Sequence, residues 1–296
     1  MTFPAQETGI GVRAAEFAVV RSLTGVGTDD DIVFDDEGWD SRVYVVDGGD
    51  AVFKFPRSPA VQRGYANEIA MLQLVEAEPL LVRTPRVRWV GPELAYFGYE
   101  GVHGHAPNLD DLTRHECRTL GHVIGTFAKT LHTLELAGVR VMTVEDEIAD
   151  FQAKYDAAAS TIAERFTRDE RATLDEFYAV AMPEEMRRLG GDLVLCHGDL
   201  GPWNVMLAAD GSTGVIDFGD VCRCDPSKDL VGMYEPVALD AALEAYGYSE
   251  LLHRKVAVRA KALPAMDLIF YAGKEDEERL TTCIDRIRAF LAPGTR

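Results

Sequence analysis

Basic residues are scarce in this chain: 30 lysines and arginines stand against 49 aspartates and glutamates over 296 residues, a formal net charge of −19. That balance repels nucleic-acid backbones and anionic membrane surfaces, so neither is an expected partner. A cationic ligand and plain solubility are the two readings the acidity leaves open. No apolar run approaches the ~20 residues that a bilayer-spanning helix needs. The opening MTFPAQETGIGVRAAEFAVV lacks the basic start and unbroken apolar core of a secretory signal, so a cytoplasmic location is expected. Cys117, Cys196, Cys222, Cys224 and Cys283 are odd in number and follow neither a disulfide nor a zinc spacing, which leaves reduced thiols as the expectation. Internal repeats and low-complexity segments are absent, and so is a GxGxxG phosphate loop.

What the chain does have is LCHGDLGPWNVMLAADGSTGVID, from Leu195 to Asp217. Asp199 is a candidate proton acceptor, Asn204 follows five residues later, and Asp217 closes a short apolar run. A base followed by an amide oxygen and a carboxylate suits phosphoryl transfer, which is largely positioning and neutralisation of charge around Mg²⁺, an ion that favours hard oxygen ligands. His197, Asp199 and Asn204 match the HxDxxxxN pattern of kinase catalytic loops, and Asp217-Phe218-Gly219 matches the metal-binding DFG that follows. Gly, Asp, Asn and Pro also cluster in turns for conformational reasons alone, but a chance turn has no reason to keep kinase order between apolar runs.

On HGDLGPWNV (His197 to Val205) and GVIDFGDVCRCDPSKDL (Gly214 to Leu230), the chain resembles the aminoglycoside phosphotransferases and related small-molecule kinases. The resemblance runs from about Ile32 to Leu230, and the IDFGD…DP…D form is most similar to the 2''-phosphotransferase branch. It implies an α+β, bilobal, protein-kinase-like fold with a small, mainly β amino-terminal lobe and a larger, mainly α carboxy-terminal lobe. Residues 1–100 would form the nucleotide lobe, 101–107 the hinge, and 108–296 the catalytic and substrate lobe with a helical insertion at about 147–189. Mg²⁺ and ATP or GTP are the implied cofactor and donor, a cationic aminoglycoside the implied acceptor, and a monomer the expected state.

The amino-terminal half carries its own signals. IVF, RVYVV and AVFKF, separated by DDEGWDS and DGGD, predict a three-strand meander with a tight hairpin at Asp47-Gly48-Gly49-Asp50. The turn Gly38-Trp39-Asp40-Ser41 stands where a kinase-like fold covers the phosphates. Ser41 would offer hydroxyl and backbone donors there, although an ordinary hairpin turn explains the same residues. Alternation puts Lys54 on the face opposite Phe53 and Phe55, and Glu68 lies fourteen residues on in an amphipathic helix. Lys54 paired with Glu68 would hold the α and β phosphates. Leu94 to Glu100 predicts the last strand, after a turn at Trp89-Val90-Gly91-Pro92. In the family frame, main-chain groups near Glu100 and Val102 would meet the base, and Tyr99 would gate the back of its pocket. A bulky Tyr there is associated with GTP use in that branch.

In the second half, Leu120, Val123, Ile124, Phe127, Leu131 and Leu134 form one stripe of a helix expected to support the catalytic loop, with His132 as a packing imidazole. Glu147 to Leu189 reads as two further helices. Asp199 is the expected catalytic base, with Asn204 and Asp217 as metal ligands and His197 as an organiser of the loop. Asp225 suits a helix cap. Asp220 and Asp229 would add negative field near the acceptor, and Glu235 and Asp267 are candidate contacts for ammonium groups. The other acids, Asp240, Glu244 and Glu275 to Glu278, are equally compatible with a solvated face. Kinases of macrolides, amino sugars, choline or homoserine are the nearest alternatives, followed by a nucleotide-binding pseudokinase. The short segment after Asp217 argues against a protein kinase.

Overall fold

The computed structural model describes residues 10–27, 31–36, 38, 40–274 and 276–291; Trp39, in the expected phosphate turn, and Glu275 lie outside them. The amino-terminal lobe is a five-stranded antiparallel sheet in the order β1-β2-β3-β5-β4. Its strands are β1 (Ile32–Asp35), β2 (Ser41–Val46), β3 (Ala51–Pro56), β4 (Arg86–Val90) and β5 (Phe97–Glu100). The three-strand meander is present with the expected hairpin, where Asp47, Gly48 and Gly49 all take positive φ. β5 starts at Phe97 rather than Leu94, because Gly91 to Tyr96 closes as a turn, with Gly91 N–H on the Tyr96 carbonyl at 2.9 Å.

Strand alternation sorts the two faces of this sheet. Tyr44, Phe53 and Phe55 pack with Val20 of α1 (Ile10–Thr24) on one side. On the other, Phe97 and Tyr99 join Tyr65, Met71, Leu72 and Val75 of α2 (Pro59–Glu76) in a core that continues into the second lobe. Ser58 caps α2 through Val61 N–H, and Pro59 opens it, a favourable start because proline lacks only a donor the first turn does not use.

Beyond the sheet, His105 exchanges both backbone hydrogen bonds with Leu207, at 3.1 and 2.9 Å, and so ties the connecting segment to the second lobe. α3 (Arg114–Leu131) begins at a reciprocal Thr113–Glu116 capping box and buries Leu120, Ile124, Phe127 and Leu131. Leu134 of the expected stripe lies past its end. The segment read as two helices is four: α4 (Val144–Ala157), α5 (Ala159–Arg165), α6 (Arg168–Glu176) and α7 (Met182–Leu189). Capping boxes at Thr143 and Thr167 restart the chain at α4 and α6, and a π turn at Phe177–Ala181 joins α6 to α7. These helices share a second core with α9 (Glu250–Ala262), α10 (Pro264–Gly273) and α11 (Glu277–Leu291). α8 (Pro236–Tyr246) lies against α3. Two small sheets complete the second lobe: β6-β10-β7, built from β6 (Arg140–Val141), β7 (Val194–Cys196) and β10 (Cys222–Cys224), and β8-β9, built from β8 (Val205–Leu207) and β9 (Thr213–Val215). Among the described residues, no helix is long and apolar enough to cross a membrane.

Candidate active site

Lys54 is the fourth residue of β3, so the alternation that sends Phe53 and Phe55 into one core aims its amine at α2. Nζ donates to Glu68 Oε1 at 2.6 Å and to Asp217 Oδ1 at 2.8 Å. Burial works against charge on this amine, but the Glu68 and Asp217 carboxylates outweigh it and raise its pKa well above the usual lysine value. Lys54 in turn holds Asp217 below the ordinary carboxylate range, whereas burial pushes Glu68 upward. One cation thus bridges the sheet, the helix and the carboxy-terminal lobe.

Asp217 reaches that position through a left-handed backbone, φ +60°. The next residue, Phe218, is fully buried against the rings of Phe127 and His197. β7 (Val194–Cys196) delivers His197, whose Nδ1 accepts from Asp199 N–H at 3.3 Å and whose Nε2 therefore donates to the Ile216 carbonyl at 3.0 Å. That is the organising role expected of it. Gly198 follows with φ +91°, and a Cβ there would lie 2.1 Å from the Asp220 carbonyl oxygen. Only glycine fits both constraints.

Asp199 is held at one oxygen. Asn204 Nδ2 donates to Asp199 Oδ2 at 2.9 Å and to its carbonyl at 2.8 Å, and Trp203 Nε1 donates to the same Oδ2 at 3.1 Å. Oδ1 has no partner among the described residues. Burial raises the pKa of Asp199, the Trp203 hydrogen bond opposes this, and the Asp220 carboxylate adds to the rise. Asp40, directly before β2, is likewise pushed up by burial and then by Asp220 and Asp217. Asp40, Asp199, Asp217 and Asp220 therefore share one electrostatic neighbourhood, with Lys54 as its buried cation.

This neighbourhood fits a hard divalent cation. Both Nδ2 bonds of Asn204 point toward Asp199, which leaves Oδ1 as its free ligand atom, and Lys54 engages only Oδ1 of Asp217. An amide oxygen and a carboxylate oxygen are the donors Mg²⁺ selects. A second grouping, His132, Cys196 and Asp229, has its ligand atoms within 4.8 Å of one another. It is a hydrogen-bond hub rather than a metal centre, because its histidine and carboxylate are already engaged.

That hub changes the reading of Asp229. Its carboxylate is fully buried, accepts His197 N–H at 2.7 Å and Gly198 N–H at 2.9 Å, and pairs with His132 Nε2 at 3.1 Å. It anchors the catalytic loop from below and has no route to an acceptor. His132 Nδ1 meets the Tyr246 hydroxyl at 2.9 Å, and the carboxylate raises the imidazole pKa despite burial. Two other expectations are corrected in the same way. Ser41 is buried with its hydroxyl on Tyr65 Oη at 2.8 Å, so the hydroxyl is not the phosphate donor expected of it. Glu235 caps α8 by accepting Ala238 N–H at 2.7 Å on one carboxylate oxygen, a structural role the contact expectation did not include.

The remaining candidates range from exposed to buried. Asp220 is exposed beside Asp199. Tyr99 is buried on the Lys54 face of the sheet, paired across from Val52, where burial raises its phenol pKa and the Lys54 charge opposes the rise. Glu100 spends its carboxylate on a bidentate pair with Arg88, and its backbone lies in register with Ala51 of β3 and Arg86 of β4. The Val102 N–H and C=O have no hydrogen-bond partner among the described residues. Asp267 is partly buried, has no hydrogen bond or ion pair among the described residues, and is pushed up to about 6 by burial. Of the acidic run, Glu244, Asp276 and Glu277 pair with Arg118, Arg279 and Arg165 and form an ordinary charged surface. Asp225 caps the turn at Ser227 and also pairs with Lys255 at 2.7 Å.

A family model described as the phosphotransferase enzyme family, APH, matches residues 31–258. No match was found among curated proteins. Solved structures with the same fold include the GDP and kanamycin complex of APH(2'')-IIIa, 19% identical over 93% of this chain and 97% of that one, TM-score 0.68. Macrolide 2'-phosphotransferase MphH from Brachybacterium faecium is 20% identical over 95% and 99%, TM-score 0.61. Spectinomycin phosphotransferase APH(9)-Ia with ADP and spectinomycin is 13% identical over 94% of each chain, TM-score 0.61. At these identities the likeness establishes the fold, while the family match spans most of the chain. With that match and a kinase-ordered set of Lys54, Glu68, Asp199, Asn204 and Asp217 in one cleft, the chain belongs to the phosphotransferase enzyme family.

Proposed function

We propose that this enzyme transfers the γ-phosphoryl group of ATP or GTP to a hydroxyl of an aminoglycoside, in a Mg²⁺-dependent reaction that inactivates the drug. The observation that carries the reading is the convergence of Lys54, Glu68 and Asp217 on one side of the cleft with Asp199 and Asn204 on the other. Lys54, fixed by Glu68, would bind the α and β phosphates, while Val102 and Glu100 offer main-chain groups to the base beside Tyr99. Asn204 Oδ1 and Asp217 would hold the metal, which supplies neutralisation of phosphate charge. Asp199 Oδ1, the free oxygen of the base, accepts the hydroxyl proton as the acceptor oxygen bonds to phosphorus and the β–γ bridging bond breaks, releasing the nucleoside diphosphate. No phosphoenzyme is required.

Two features favour a cationic acceptor: the partly buried, unpaired Asp267 carboxylate and the net charge of −19. Acceptor-dependent release of nucleoside diphosphate tests the proposal, with ATP and GTP against kanamycin, a macrolide, glucosamine and choline. Kanamycin-dependent turnover is expected, with kcat lower by about 10²–10⁴-fold in Asp199→Asn and nucleotide affinity unchanged. Turnover confined to another acceptor would sink the aminoglycoside assignment, and nucleotide binding without turnover would sink phosphoryl transfer itself.

A further inference from the structure

Trp203 is an anomaly in its own loop. Pro202 and Asn204 on either side are buried, yet the Trp203 side chain is 49% exposed and presents a large apolar face to water. Its ring folds back over Gly201, where a Cβ would lie 2.3–2.5 Å from indole atoms. The Gly201 backbone itself is extended, φ −143° and ψ 174°, a conformation open to any residue. The glycine is therefore explained by the ring and not by the turn. At the same time the indole N–H reaches Asp199 Oδ2, the oxygen that Asn204 already holds.

Resting on the phosphoryl-transfer reading above, we propose that Trp203 is the acceptor-side positioning residue of this site: its N–H turns Asp199 Oδ1 toward the acceptor, and its exposed ring receives a saccharide ring. With two donors on Oδ2, rotating the carboxylate would cost both bonds, so the base is held in one orientation. Aromatic faces accept the C–H face of a sugar, and they attract ammonium groups electrostatically. Gly232 packs on Leu200 and Gly201, with its Cβ position 2.2 Å from the Leu200 carbonyl oxygen. Tyr234, 37% exposed, follows that contact by two residues, and its hydroxyl donates to Asn108 Oδ1 at 3.5 Å. The guanidinium of Arg286 lies 4.5 Å from the Tyr234 ring centroid and so braces this second aromatic. A hydroxylated, amine-bearing ring fits such a surface better than a linear alcohol.

The two roles separate in two variants. Trp203→Phe keeps a ring and removes the N–H; it is expected to lower kcat by about tenfold, the worth of one charge-assisted hydrogen bond, with the KM for kanamycin within about twofold. Trp203→Ala removes both, so the KM for kanamycin is expected to rise by about tenfold in addition. The nucleotide KM stays unchanged in each, which a general loosening of the loop would not allow. An indole ¹⁵N–¹H spectrum reads the geometry without turnover. The Trp203 resonance, identified by its loss in Trp203→Phe, should move in Asp199→Asn and on adding kanamycin. Wild-type kinetics in both variants, or an indole resonance indifferent to Asp199→Asn and kanamycin, would overturn the proposal. A responsive resonance in a protein without acceptor-dependent turnover supports the Trp203 geometry and sinks the phosphoryl-transfer reading instead.

Discussion

Asp267→Asn is expected to stabilise the protein at neutral pH, and the gain should fade in acid. The carboxyl sits in the first turn of α10, where the helix dipole favours negative charge, yet burial pushes its pKa from 3.8 up to about 6. Arg286 is the one neighbour that pulls it back down. The folded state therefore keeps a proton that the unfolded chain has released between those two values. Stability falls as pH rises through that window, and above it the full penalty applies. The gap corresponds to about 3 kcal/mol at pH 8 and about half that at pH 5. Asparagine cannot ionise, so its advantage over aspartate should shrink by about 1–2 kcal/mol between the two conditions. Urea denaturation of both proteins at pH 8 and pH 5 measures this double difference, in which effects common to both cancel. An advantage that is constant or grows toward pH 5 would refute the reasoning. The same variant should raise the KM for kanamycin, because a carboxylate kept unpaired at such a cost is available to an ammonium group.

Other positions give equally direct tests. His132→Gln breaks a fully buried pair and should cost about 3–5 kcal/mol. The His132 pKa is raised above 6.5 in the fold, so the stability it contributes is complete below 6.5 and declines as pH rises through the raised value. Denaturation midpoints from pH 6 to 9 should show that alkaline decline in the native protein and its loss in the variant. Gly125→Ala should destabilise by about 1–3 kcal/mol, because its Cβ would meet the Ala242 carbonyl oxygen at 2.1 Å where α3 crosses α8. Gly64→Ala, on α2 with open space around it, should instead stabilise by about 0.5–1 kcal/mol. Opposite shifts in the two thermal melts are the expected result.

The candidate site was legible in the sequence where it depends on local order, and obscured where it depends on contacts made at long range. His197, Asp199, Asn204 and Asp217 lie within 21 residues, and the loop geometry that joins them is written in the turn residues between them. Lys54 and Glu68 followed from strand alternation and helical spacing, two periods a reader can count. Ser41 failed because alternation also governs it: as the first residue of β2 it points into the lobe and meets Tyr65, whose position no local rule supplies. Asp229 failed for a deeper reason. Its partners are 31, 32 and 97 residues away, so its distinction from an exposed acid such as Asp220 exists only after α3 and the catalytic loop have packed around it. Glu235 carried a readable signal, since an acid directly before Pro236 suits a helix cap.

The four-helix insertion was equally readable from Thr143 and Thr167, each followed three residues later by an acid. Trp203 could have been found too, as a large aromatic between Asp199 and Asn204 in a loop where such bulk has no turn function. What no pattern gives is the meeting of Gly121 and Gly125 with the backbone of Ala238 and Ala242. Small residues four apart announce a close approach without naming the partner. That approach seats α8 against α3, and with it Tyr246 on His132, His132 on Asp229, and Asp229 on the two backbone amides that precede the base. A helix crossing far from the nucleotide thus sets the height of the catalytic loop. By this reasoning Gly125→Ala should lower kcat as well as stability, while leaving the nucleotide KM unchanged, since the Lys54–Glu68 pair belongs to the other lobe.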